Sequence, residues 1–223
     1  MKKDDYLIID FDSTFIKLET LEELAREALK NNSQKENIQD RIKKITRQGM
    51  YGKLSFEDSL KRRLALFSAN KNDIKRVNLK IKNNITESFK ENKDFFRENG
   101  KNIFVVSGGF SECIFPVTDD FEISRENILA NDFEFNSEGS VIGINEKNLA
   151  SKTQGKVRQV ENLKLKGRIF VIGDGWTDFE IRKEKKADYF LAFTENIRRE
   201  SVVDLADEEM INFNKVIKFV KDN

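Results

Sequence analysis

Tyr6-Leu7-Ile8-Ile9-Asp10-Phe11-Asp12-Ser13-Thr14 is a short apolar run that closes on two acids one residue apart. Such a run reads as a buried strand delivering carboxylates to a sheet edge. Residues i and i+2 of a strand point to the same side. The reading therefore predicts Asp10 and Asp12 side by side. Two like charges in one small space are costly unless a cation or a proton relieves them. The stretch points to a metal site, to acid–base chemistry, or to both.

Working outward, residues 6–10 form the first strand, and the pattern from about 19 to 84 turns wholly helical. Leu21, Leu24, Ala25 and Ala28 recur at helical spacing, as do Ile38, Ile42 and Ile45. The second helix is expected to stop at Gly49. Ser55 with Asp58 reads as a capping arrangement before Leu60, Leu64 and Phe67, and Asn72 as the cap of a helix carrying Ile74, Val77 and Ile81. A further helix spans 86–98 and is closed by Gly100. Buried strands follow at 103–106, 168–172 and 189–193, and an antiparallel hairpin falls within 128–144 around Glu138-Gly139. Helices are expected near 156–165, 197–206 and 212–220. Strands alternating with helices imply an α/β fold with a Rossmann-like parallel sheet flanked by helices. A small all-helical module interrupts it after the first strand. The implied division is 1–16 and 86–223 for the sheet domain, and 17–85 for the helical insert.

Composition narrows the chemistry. Among 223 residues, 40 Lys and Arg nearly cancel 39 Asp and Glu, which argues against a nucleic-acid binder. The chain has no histidine, so imidazole catalysis and the usual zinc ligands are excluded. The lone Cys113 permits no internal disulfide and reads as a buried structural thiol. No stretch approaches membrane-spanning length and none reads as a signal peptide, so the expectation is a cytoplasmic protein with no membrane partner. No oligomeric state follows from the residues.

In open α/β sheets, ligands bind beyond the carboxyl ends of the strands. Three polar clusters stand at such ends: 10–14, Ser107-Gly108-Gly109, and Gly173-Asp174-Gly175-Trp176-Thr177-Asp178. Each alone is an ordinary turn, and Lys156 alone is an ordinary solvated lysine. Together with Gly155-Lys156, and in this order, they resemble the signature of the haloacid dehalogenase superfamily of phosphatases. The helical insert looks like that superfamily's cap domain. Glu19-Thr20-Leu21-Glu22-Glu23-Leu24-Ala25, Met50, Gly52, Phe56 and Arg63-Leu64-Ala65-Leu66 extend the resemblance to the phosphoserine phosphatase family.

That resemblance implies a Mg²⁺-dependent hydrolysis of O-phospho-L-serine through an aspartyl-phosphate. Asp10 would be the nucleophile and Asp12 the general acid/base. Asp10, Asp174 and the backbone carbonyl of Asp12 would hold the metal, with Asp178 as an outer partner. Ser107, Gly108, Gly109, Lys156 and Thr177 would hold the phosphate end. Glu19, Met50, Phe56 and Arg63 would line the cap side, Arg63 facing the substrate carboxylate and Glu19 its ammonium. The expected partner is a small phosphorylated amino acid. Other readings of the same residues are another small-molecule phosphatase, a phosphotransferase from phosphoserine to homoserine, a phospho-acceptor signalling module, and a binding module without chemistry. Trp176, a bulky residue inside the last motif, either narrows the pocket or packs behind the loop. The segment 196–199 carries no assigned role.

Overall fold

The computed structural model describes residues 1–223. Six strands form one parallel sheet in the order β3-β2-β1-β6-β7-β8. They are β1 (Asp5–Ile9), β2 (Ile103–Phe110), β3 (Ile128–Asn131), β6 (Arg168–Gly173), β7 (Tyr189–Phe193) and β8 (Glu208–Met210). The chain steps from β1 outward through β2 to β3, then restarts beside β1 with β6 and steps the other way. The reversal lies between β1 and β6, where a crevice opens at the strand ends. Ile9 is level with both Val105 of β2 and Ile172 of β6.

The sheet is buried on both faces, as the continuous apolar strands demand. Leu7, Ile9, Ile103, Val105, Phe170 and Ile172 enter one core. Ile8, Phe104, Val106, Val171 and Phe190 enter the other, covered by α8 (Gly155–Leu163) and α9 (Trp176–Lys183). The first core holds much of the phenylalanine. Phe15 sits 4.7 Å from Phe89 and edge-on to Phe121 at 4.9 Å, with Phe96 and Phe213 stacked behind. Such ring contacts add to ordinary apolar burial. They anchor from below the turn that carries Asp12.

The chain leaves the sheet layer at Ile16 and returns at Ile85, and these two residues bridge in antiparallel sense. Between them run α1 (Thr20–Ala28), α2 (Lys35–Met50), α3 (Phe56–Leu64) and α4 (Lys71–Lys82). Leu21, Leu24, Leu60, Ile74, Val77 and Ile81 from these helices belong to the same apolar cluster as the lower sheet face. The helical segment therefore shares its core with the sheet rather than forming an isolated one.

Local chemistry shifted several expected boundaries. α2 runs through Gly49 to Met50, and Gly52 takes the left-handed turn at φ +66°. Asn70, not Asn72, caps α4, because its side chain accepts from Asn72 and Asp73 N–H while Asp73 accepts from Asn70 N–H. The helix expected over 86–98 is two, α5 (Glu87–Glu91) and α6 (Lys93–Asn99). They break at Asn92, whose amide bonds to Ser88 O and Asn214 Oδ1. Of the expected hairpin, Ile128–Asn131 instead joins the parallel sheet as β3. Only β4 (Phe133–Phe135) and β5 (Val141–Ile144) pair antiparallel. After α7 (Ser111–Thr118), where Cys113 is fully buried, the remaining helices are α10 (Glu200–Val203) and α11 (Phe213–Asp222). No helix is long and apolar enough to cross a membrane.

Candidate active site

Asp10 follows the last residue of β1, and its N–H donates to Ile172 O of β6 at 2.9 Å. The chain then leaves the strand in one wide turn, Phe11–Phe15. Asp12 is extended there (φ −66°, ψ 137°) and Ser13 is left-handed at φ 56°. Ile16 N–H closes the turn on Phe11 O at 3.0 Å. The side-by-side placement of Asp10 and Asp12 as strand neighbours does not hold, because the strand ends before Asp12. Both carboxylates nonetheless face one recess, delivered by the turn rather than by the pleat.

The recess lies between the sheet edge and the helical insert. Asp10, Asp12, Ser107, Gly108, Gly109, Lys156 and Thr177 line its floor, and Glu19, Met50, Phe56 and Arg63 line the helical side. Asp174 and Asp178 lie beneath the floor rather than on the wall. Leu21, Thr46, Gly49, Ser59, Leu60 and Phe110 also contribute, none of which the motifs assign to the site. The Phe56 ring approaches the backbone of Gly108 in β2. A Cβ on Gly108 would fall 2.4 Å from the Phe56 ring, so only glycine admits this contact.

Charge is arranged in a chain. Lys156 Nζ bonds Asp10 Oδ1 and Asp178 Oδ1, each at 2.7 Å. Burial works against its charge, but the two carboxylates outweigh it and hold the ammonium above its ordinary range. Asp10 Oδ1 also accepts from Phe11 N–H at 2.7 Å, so the carboxylate is locked in orientation. Burial and the Asp10 charge push the Asp178 carboxyl up to about 7, with Lys156 opposing. Gly173 lets Asp178 fold against β6, since a Cβ there would meet its carboxyl carbon at 2.2 Å. Asp12 accepts from Thr20 Oγ1. Burial first, then the Glu19 charge, raise the Asp12 carboxyl well above its usual value. Burial raises Glu19 as well, while Arg199 and the Ser13 hydroxyl pull it back. Burial lowers Arg63, against Glu19 and Asp12.

Asp10, Asp174 and Asp178 bring carboxylate oxygens within 4.8 Å of one another. Asp174 Oδ1 accepts from Thr14 Oγ1 at 3.2 Å, and its buried Oδ2 lies against the Arg199 guanidinium. Three buried carboxylates crowded this closely favour a cation among them. Every donor is oxygen and the chain has no histidine, so the set fits a hard divalent ion such as Mg²⁺. Asp178 already uses Oδ1 on Lys156 and Oδ2 on Gly175 N–H at 3.1 Å, which suits an outer, orienting place.

Arg199 was the main omission from the sequence reading. Its side chain is 9% exposed, lies against the Asp174 carboxylate and stands 3.5 Å from Glu19 Oε1. Asn196 donates to Ser13 O and Thr14 O at 3.1 Å, pinning the wide turn from behind. Both residues follow β7, a fourth strand that opens on the same edge, and that position was the available signal. Trp176 is not among the residues lining the recess; its ring packs against Gly52 of the helical insert, and Phe179 and Lys183 flank it.

The raised Asp12 carboxyl has a measurable consequence. The unfolded chain releases this proton near pH 4, whereas the folded chain retains it to higher pH. Between those values the folded state binds more protons, so stability falls as pH rises. Asp12→Asn keeps the acceptor for Thr20 and removes the ionisable group. In metal-free protein it is expected to raise Tm at pH 8. The gain should vanish toward pH 4. A gain independent of pH would contradict the assignment.

Comparison with known proteins gives a consistent result. The family model described as haloacid dehalogenase-like hydrolase matches residues 7–182. A phosphoserine phosphatase of Mus musculus is 30% identical over 94% of this chain and 90% of its own. A chloroplastic phosphoserine phosphatase of Arabidopsis thaliana is 33% identical over 77% of this chain, which spans 59% of that longer protein. The crystal structure of a phosphoserine phosphohydrolase-like protein from Francisella tularensis superposes with a TM-score of 0.88 at 34% identity, covering 97% of this chain and 99% of the other.

Proposed function

The chain belongs to the haloacid dehalogenase-like hydrolases, and within them to the phosphoserine phosphatase family, and from that premise we propose that it hydrolyses O-phospho-L-serine to L-serine and phosphate. One observation carries the choice of substrate. The wall facing Asp10 presents an arginine and a glutamate, the complements of a carboxylate and an ammonium. Arg63 is 8% exposed, and only its Nε is engaged by the protein, donating to Ser59 O at 3.3 Å. Its terminal nitrogens are left to a ligand.

The reaction has two steps. An Asp10 carboxylate oxygen attacks phosphorus while the bond from phosphorus to the serine oxygen breaks. Asp12, held protonated by its surroundings, gives its proton to the departing oxygen. Water then attacks the phosphorus of the aspartyl-phosphate, Asp12 takes a proton from it, and Asp10 is regenerated. Lys156 opposes the charge of the transferring group, and the Ser107 hydroxyl and nearby backbone N–H groups hold its oxygens. Asp10, Asp174 and the Asp12 carbonyl would hold Mg²⁺, which when bound neutralises phosphate charge. Helices α1–α4 would serve as a cap, with Met50 and Phe56 shielding the ion pairs to substrate from water. Water exclusion suits hydrolysis in which the amino acid leaves before water enters.

Two experiments test this reading. Chelation should abolish phosphate release and added Mg²⁺ should restore it. Undiminished release in excess chelator would refute the metal's part. Arg63→Ala should lower kcat/KM for phosphoserine by about 100-fold, the scale of a lost charge-assisted pair. The loss on p-nitrophenyl phosphate, which has no amino-acid end, should be under about threefold. Equal losses on both would remove the recognition role.

A further inference from the structure

We propose that Asn131 is a positioning residue that sets the shape of the phosphate-holding loop on β2. The inference rests on the phosphatase reading of that loop and assigns a role to a residue outside the recess. β2 and β3 pair in regular register through Val106 and Leu129, and pair again at Phe110 and Asn131. Between those pairs β2 carries Ser107, Gly108 and Gly109, while β3 carries only Ala130. The extra residues must buckle out of the ladder, as in a bulge. Buckling places the loop on the cavity floor, and it also removes the ladder bonds that would hold it there.

Two bonds replace them on a single peptide unit. Asn131 Nδ2 donates to Gly108 O at 2.9 Å. The N–H of the same unit, on Gly109, donates to Ser107 Oγ at 2.9 Å. The peptide plane is thus pinned at both ends. Because Ser107 Oγ accepts there, its own proton is free to donate elsewhere, and Ser107 lines the recess. Asn131 orients the plane, the plane orients the hydroxyl, and the hydroxyl meets the phosphate.

The cost of Asn131 argues that this is its purpose. Its side chain is 0% exposed, and its Oδ1 has no hydrogen-bond partner. A half-satisfied buried amide is worse for stability than an apolar residue of similar size. The amide cannot be turned round, since that would set its oxygen against the Gly108 carbonyl. What the residue supplies in return is the donor to the loop.

The test uses Mg²⁺-loaded protein and the variants Asn131→Leu and Asn131→Ala, with inorganic phosphate as the probe. Calorimetry should show phosphate binding weakened by about 10- to 100-fold in both, the scale of a displaced holding group. Phosphoserine kcat should fall by a similar factor. Inhibition by L-serine, which engages the distant Arg63 end, should change by less than about twofold. Asn131→Leu should retain or raise the parental Tm, which separates positioning from folding. The inference is overturned if phosphate binds both variants as it binds the parent. It is equally overturned if phosphate and serine weaken together. A parent that binds phosphate but leaves phosphoserine intact would refute the proposed substrate, while the phosphate titration would still decide the role of Asn131.

Discussion

Asp10→Asn is expected to lower phosphate release from phosphoserine by about 10⁴-fold or more, the scale seen when a covalent nucleophile is removed. The expectation follows from how the carboxylate is held. Lys156 and the Phe11 N–H both grip Oδ1, at 2.7 Å each, so Asp10 is fixed in direction at the centre of the crevice between β1 and β6. Asparagine keeps the shape and the acceptor oxygen, so the fold and the Phe11 contact should survive. It loses the negative charge that the proposed mechanism directs at phosphorus. It also leaves Lys156 with Asp178 alone. A preserved Tm with lost turnover is therefore the expected pair of results. A preserved rate would place the nucleophile elsewhere.

Asp12→Asn carries the second largest effect, and its signature depends on the leaving group. A general acid contributes about 10²- to 10⁴-fold where the departing oxygen needs a proton. The serine alkoxide is a poor leaving group and needs one. p-Nitrophenolate leaves without it. The variant should lose at least about 100-fold in aspartyl-phosphate formation from phosphoserine, and about tenfold or less in the same step from p-nitrophenyl phosphate. The step is read as the pre-steady-state burst of alcohol release, because in the proposed mechanism the later attack by water would also use Asp12. The structural basis is the enclosed carboxyl facing Glu19, with Thr20 on one oxygen, where the proton is retained above the usual carboxylate range. Equal losses on both substrates would assign Asp12 to positioning instead of proton transfer.

The sheet was legible because its strands are buried on both faces. Runs such as Ile103-Phe104-Val105-Val106 need no partner to be recognised. The polar clusters were legible because each sits where an apolar run stops. β8 was not, since Glu208-Glu209-Met210 at the sheet edge has neither an apolar run nor alternation. The break at Asn92 is accompanied by an amide bond to Asn214, a partner far away in sequence. The wide turn at 11–15 shows a different limit. The Asp-x-Asp spacing brings two acids to one recess, but through a left-handed Ser13 and an i to i+5 closure rather than through a strand. Arg199 and Asn131 act through contacts across the sheet edge, with Asp174 and Gly108 respectively. Their partners are set by topology, and only the folded chain displays them.

The covalent step is tested most directly by quenching the Mg²⁺-loaded enzyme during turnover of phosphoserine, reducing with borohydride and sequencing the peptide containing residues 6–14. An aspartyl-phosphate at the strand end converts residue 10 to homoserine, and that conversion is the predicted result. Phosphate released at the normal rate, with residue 10 recovered as unmodified aspartate throughout, would contradict it.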